Sequence, residues 1–217
     1  TAIGYASLVN NTTASNNTAV GYQAAYTSST GARLTALGFQ SLMHNTASDN
    51  TALGWFSLYS NSSGTFNLAV GGGDGATGST LSNNTTGSSN TGLGFQALRS
   101  NTTASNNTAV GYQAGYSFTT GGYSTVMGYQ AAQNATAGGT VAIGHSSAKN
   151  NTGAGITAVG SNALVTNTSG TSSTGIGTNA LNDNTTGSSN VALGRDALYS
   201  NTTASENTAV GYRAGYS

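Results

Sequence analysis

The stretch Asn101-Thr102-Thr103-Ala104-Ser105-Asn106-Asn107-Thr108-Ala109-Val110-Gly111-Tyr112 decides the fold, because it repeats Asn11 to Tyr22 without change and Asn201 to Tyr212 with only Glu206 differing. Its centre, Thr-Ala-aliphatic-Gly, recurs through the chain, with the glycine at Gly4, Gly21, Gly38, Gly54, Gly71, Gly94, Gly111, Gly128, Gly144, Gly160, Gly177, Gly194 and Gly211. Eleven of the twelve steps between these glycines are 16 or 17 residues, and the step from Gly71 to Gly94 is 23. A period this short is too small for a helix pair or a propeller blade. It suits one coil of a parallel β-solenoid, in which each short strand finds partners in the coils above and below at about 4.8 Å per coil. The expected fold is all-β: a parallel β-solenoid, or β-roll, of about thirteen coils of 16–17 residues over 1–217.

Composition agrees with a repeat rather than an ordinary globular domain. Only 5% of residues are charged, Gly numbers 32, Pro and Cys are absent, and the formal net charge is zero. Hydrophobic residues are 36% of the chain and hold a fixed register, which a disordered segment has no reason to do. Neutrality gives no steering toward nucleic acid or an anionic membrane. No apolar run reaches the roughly 20 residues of a membrane helix. Gly, Thr, Asn and Ser also disfavour helix throughout.

The residue before each bend glycine is Ile3, Val20, Leu37, Leu53, Val70, Leu93, Val110, Met127, Ile143, Val159, Ile176, Leu193 or Val210. One apolar side chain per coil at a fixed place predicts a core ladder. Leu8, Leu42, Leu58, Leu98, Leu164, Leu181 and Leu198, four after the glycine, predict a second. Side chains alternate along a straight strand, so these two ranks share an interior only if the chain bends between them. The glycine is the natural bend. Asn17, Asn50, Asn67, Asn90, Asn107, Asn190 and Asn207 recur at matching turns and are expected to form a hydrogen-bonded ladder.

The residue after the glycine is aromatic in eight coils: Tyr5, Tyr22, Phe39, Trp55, Phe95, Tyr112, Tyr129 and Tyr212. Arg195 occupies the same position, which places the rank on a surface or at an interface. Such a stripe reads as a trimer contact, a stacking ladder or a binding strip for sugar rings. Ala or Gly two before the bend reads either as tight packing inside the coil or as a smooth strip for a neighbouring chain.

Little in the sequence carries chemistry. Acids and bases are few, and His44 and His145 lie six coils apart. Asp196 beside Arg195 reads as a surface ion pair. No catalytic residue, cofactor or metal is expected, and the chain is not read as an enzyme. The longer coil, 72–90, predicts a protruding loop. Its Gly71-Gly72-Gly73-Asp74 has the look of a calcium repeat but occurs once, so it reads as an insertion. Asn-x-Thr/Ser sequons, such as Asn11-Thr12-Thr13, arise from composition. The chain opens and stops inside a repeat, which reads as a fragment of a longer fibre.

The Ala-aliphatic-Gly core, in Ala19-Val20-Gly21, Ala109-Val110-Gly111, Ala142-Ile143-Gly144 and Ala209-Val210-Gly211, resembles the head repeats of the YadA-like trimeric autotransporter adhesins. The arrays Asn17 to Ala24 and Asn107 to Ala114 also resemble repeats of phage tail-fibre proteins. The resemblance implies a left-handed roll, a homotrimer, and an extracellular place on a cell surface or a virion, attached to a host surface, glycan or matrix protein. The period here is a few residues longer than in the usual adhesin head. A third reading, an ice-binding solenoid, follows from Thr1, Thr18, Thr35, Thr51, Thr91, Thr108 and Thr125 three before the glycine, interrupted at Leu68, Val141 and Val191.

Overall fold

Each repeat contributes one short strand, the Thr-Ala-aliphatic segment, of three residues in all but the first, and in the computed structural model these strands stack in parallel. The described residues are 1–75 and 78–217, and they form two compact units, 1–110 and 111–217. The first unit holds β1 (Ala2–Ile3), β2 (Thr18–Val20), β3 (Thr35–Leu37), β4 (Thr51–Leu53), β5 (Leu68–Val70), β6 (Thr91–Leu93) and β7 (Thr108–Val110), each paired with the next in chain order. The second holds β8 (Thr125–Met127), β9 (Val141–Ile143), β10 (Thr157–Val159), β11 (Thr174–Ile176), β12 (Val191–Leu193) and β13 (Thr208–Val210), ordered likewise. Register is strict, with Thr18 opposite Thr35 and Ala19 opposite Ala36. Each unit is therefore a parallel β-solenoid, and no helix is found among the described residues. None is long and apolar enough to cross a membrane.

The bend glycines explain the corner after each strand. Their φ values lie between 121° and 137°, a region L side chains rarely adopt. A Cβ on Gly38 would come within 2.6 Å of the Gly54 carbonyl oxygen of the next coil. Conformation and contact both require glycine.

The rest of the corner uses ordinary residues in the left-handed region. Two and four after the glycine, Gln23 and Ala25 have φ of 51°, and Gln40 and Leu42 of 52°. A third such residue precedes the strand, for example Asn16 or Asp49 at 62°. Each such residue costs roughly 1–2 kcal/mol relative to right-handed backbone. Inter-coil hydrogen bonds offset this. The Gln23 N–H donates to the Tyr5 carbonyl of one neighbouring coil at 2.8 Å, and the Ala25 N–H donates to the Ser41 carbonyl of the other at 2.9 Å. The Arg33 N–H donates to the Ser15 carbonyl at 3.1 Å. Coils are thus tied on every side, not only along the strands.

The interior corrects the expected core ladder. The rank two before the glycine points inward: Ala19, Ala36, Ala52, Ala69 and Ala109 in the first unit, and Val126, Ala142, Ala158 and Ala192 in the second, are fully buried. Opposite them lie Leu42, Leu58 and Leu98, with Leu81 taking that place in the longer coil, and Leu164 and Leu181 in the second unit. The aliphatics next to the glycine point outward instead. Ile3, Leu53, Met127, Ile143, Ile176, Leu193 and Val210 are exposed, and Val20, Leu37, Val70, Leu93, Val110 and Val159 are half-buried. The physical reason is volume. The leucine rank leaves room for little more than a methyl group across the coil, and interiors pack to crystal density. Alternation then sends the bulky neighbour outside. The strip of small residues is accordingly interior packing, not a smooth outer surface.

Two amide ladders complete the core. Asn17, Asn50, Asn67, Asn90, Asn107 and Asn190 are buried, and Asn207 is half-buried. Their carbonyl oxygens accept from the backbone of the next coil, as in the Asn67 N–H to Asn50 Oδ1 at 2.9 Å. The second ladder, unread in the sequence, stacks side chain on side chain. Asn61 Nδ2 donates to Asn45 Oδ1 at 2.6 Å, Asn84 to Asn61 at 2.7 Å and Asn101 to Asn84 at 2.6 Å. In the second unit Asn167 donates to Asn151 at 2.6 Å and Asn184 to Asn167 at 2.8 Å. Several of these are sequon residues; Asn61, Asn84, Asn101, Asn167 and Asn184 have no exposed surface on which to carry a sugar.

In the longer coil the Gly78 N–H donates to the Gly75 carbonyl at 3.0 Å, and Asp74 accepts from Gln96 at 3.3 Å. Within the longer coil 72–90, where a protruding loop is expected, residues 76–77 lie outside the described residues.

Candidate functional site

Function, on this scaffold, falls to the outer ranks. The sheet face carries two of them side by side: Thr or an aliphatic at the first strand position, and the exposed aliphatics at the third. The Thr hydroxyls divide into two classes. In the turns they bond to the next coil, as from Thr46 to the Ser62 carbonyl at 2.7 Å and from Thr185 to the Thr202 carbonyl at 2.9 Å. On the sheet face Thr18, Thr35, Thr51, Thr157 and Thr174 form no side-chain hydrogen bond among the described residues.

Around the glycine corner stands the aromatic rank. In the first unit Tyr5 stacks on Tyr22 at 5.3 Å between centroids and Tyr22 on Phe39 at 5.0 Å, with planes within 13°. In the second Tyr112 stacks on Tyr129 at 5.1 Å and Tyr129 on His145 at 5.4 Å. These rings cover one another's faces and turn their edges to water. A sugar ring, which needs an aromatic face, finds none along such a run. Trp55 breaks the run, standing at 81° to Phe39, and the next coil places Gly72 at that rung. Phe95 lies beyond it and Tyr212 near the end of the second unit, both exposed.

Beside the aromatic rank runs an amide rank that sequence reading missed. Gln40 Nε2 donates to Gln23 Oε1 at 2.5 Å, and Gln130 Nε2 donates to Gln113 Oε1 at 3.2 Å, with Lys149 Nζ on Gln130 Oε1 at 3.0 Å. The signal for it was the recurrence of Gln two after the glycine. Asp196 holds this place in its coil. It is buried, accepts from Asn179 Nδ2 at 2.9 Å and lies 3.3 Å from Arg195 Nε. The pair read as superficial therefore has a buried carboxylate and an exposed guanidinium. Arg33 and Asp49 form a second pair, at 2.5 and 2.7 Å. The hydrogen bond from Arg33 pulls the Asp49 carboxyl below its ordinary range.

His44 sits edge-on to Tyr59, with centroids 4.8 Å apart. Among the described residues no three His, Cys, Asp or Glu side chains converge as a metal would need. The outer ranks offer stacking, apolar contact and hydrogen bonding. Compared with family models, with curated proteins and with solved structures, the chain matches none.

Proposed function

We propose that this chain is a structural and adhesive segment of an extracellular homotrimeric fibre, a cell-surface adhesin or, as the alternative setting, a virion tail fibre. The observation that carries the reading is the outward aliphatic rank. Seven of its side chains, from Ile3 to Val210, are more than a third exposed, and they lie in line on each unit. Contiguous apolar surface of this kind marks an interface. A partner that meets every rung must rise by the same step per coil, and a second copy of this chain in register does so. No strand residue carries a charge, so like-charge repulsion does not oppose self-association. The sheet face is thus the surface by which copies join, leaving the amide rank and the open ends of the aromatic runs for a host glycan or matrix protein.

The unpartnered Thr hydroxyls of the same face favour one second reading. A rigid array of hydroxyl and methyl groups at a constant step is suited to ordering water, as an ice surface requires. One experiment separates the two. Light scattering with sedimentation is expected to give residues 1–217 a mass near three times 21.4 kDa. Leu53→Asp with Ile176→Asp, both outward, should return it to one chain with an unchanged circular dichroism spectrum. A monomeric parent chain overturns the trimer, and thermal hysteresis in that monomer would establish the ice-binding reading.

A further inference from the structure

The aromatic rank of the second unit has a two-rung gap. Tyr129 and His145 are stacked at 4°, the next two rungs are Ser161 and Thr178, and the following rung is Arg195. Three coils separate His145 from Arg195, about 14 Å at about 4.8 Å per coil. One wall of the gap is the imidazole, one of whose faces is covered by Tyr129; its other face is toward the coil of Ser161, where no ring stands. The opposite wall is the Arg195 guanidinium, 5.9 Å from the Tyr212 ring centre on its far side. The floor is two hydroxyls, and Thr178 is exposed.

Arg195 pairs with the buried Asp196, whose carboxylate oxygen lies 3.3 Å from its Nε, and Asn179 fixes the other carboxylate oxygen. The terminal Nη groups form no bond among the described residues. A guanidinium paired on its Nε side leaves them as a fork matching a planar carboxylate.

From these walls we propose that the gap binds an acidic saccharide, its carboxylate on Arg195, its hydroxyls on Ser161 and Thr178, and a sugar C–H face on His145. The proposal rests on the adhesive reading and names its ligand class. Among the described residues of the second unit, here a stacked ring ends against small polar rungs with a paired cation beyond. All these residues belong to one chain and stand around the glycine corner from the sheet face, so the site is complete without a second copy.

The test is a saturation-transfer NMR titration of residues 1–217 with sialyllactose, and with lactose as the neutral probe. Sialyllactose is expected to bind and lactose to bind at least tenfold more weakly. Arg195→Gln should remove that preference. Ser161→Tyr with Thr178→Tyr should abolish binding with the fold intact, because tyrosine occupies this rung in the coils of Tyr22 and Tyr129. Absence of sialyllactose binding, equal binding of lactose, or binding unchanged by both sets of substitutions overturns the proposal. The mass of the same sample reports the trimer separately. A trimer that ignores sialyllactose fails this site alone, and a monomer that binds it fails the trimer alone.

Discussion

Gly128→Ala is expected to destabilise the second unit by about 3 kcal/mol or more, the left-handed backbone alone accounting for about 1–3 kcal/mol. Gly128 has φ of 137°, and an added Cβ would lie 2.5 Å from the Gly144 carbonyl oxygen and 2.8 Å from its carbon. That neighbour is backbone held in the next coil, so it cannot swing aside. Gly155 supplies the contrast. It has φ of 71° with nothing nearer than 3.7 Å to an added Cβ, and the same corner elsewhere holds Asn16 or Asp49. Gly155→Asn should be neutral or stabilising by up to about 1 kcal/mol, since it restricts the unfolded chain without straining the folded one. Urea unfolding of both variants checks the pair. If Gly128→Ala melts with the parent, the close approach of coils at the glycine corner is wrong.

Asn84→Leu is the second large effect, expected at about 3 kcal/mol or more, because each orphaned buried polar group costs about 1–3 kcal/mol. Asn84 is fully buried, donates to Asn61 Oδ1 and, at 2.9 Å, to the Gly87 carbonyl, and accepts from Asn101. Leucine has comparable bulk, so the loss is one of hydrogen bonds more than of packing. Phe118, fully buried seven residues after Gly111, shows that the interior admits an apolar side chain at the corresponding place. There Ala135 follows it in the next coil, so no amide is stranded between the two, whereas the buried Oδ1 of Asn101 has no partner among the described residues. Hence Asn61→Leu with Asn84→Leu should cost less than the sum of the single changes. Strict additivity in thermal melts would mean that the amides act independently and that the ladder has no collective role.

The solenoid was legible because its cause is periodic. A glycine at a nearly constant step, with a leucine rank four residues on, is enough to require a coil that closes and stacks. What could not be read was which bulky rank faces in. Hydropathy ranks Val20 above Ala19, yet the interior selects by size, and Leu42 across the coil leaves space only for Ala36. The left-handed corners were also hidden, because Gln40 and Leu42 have no local preference for them and adopt them only where a neighbouring coil supplies bonds. The outer ranks were visible as a list, but the geometry that separates stacked edges from an open face was not. Ser161 and Thr178 look like mere departures from an aromatic consensus until His145 and Arg195 are placed on either side.

Because the hydrogen bonds between coils point from one coil to the next, they lie along the stacking direction. A pull along that direction loads them end-on and one layer at a time, so a lone chain would peel open at low force. Shear across the coils meets all the bonds of a layer together. Each unit built this way is weak in tension, and laying several copies side by side is the direct remedy, since a coil that starts to lift is then held by its neighbours.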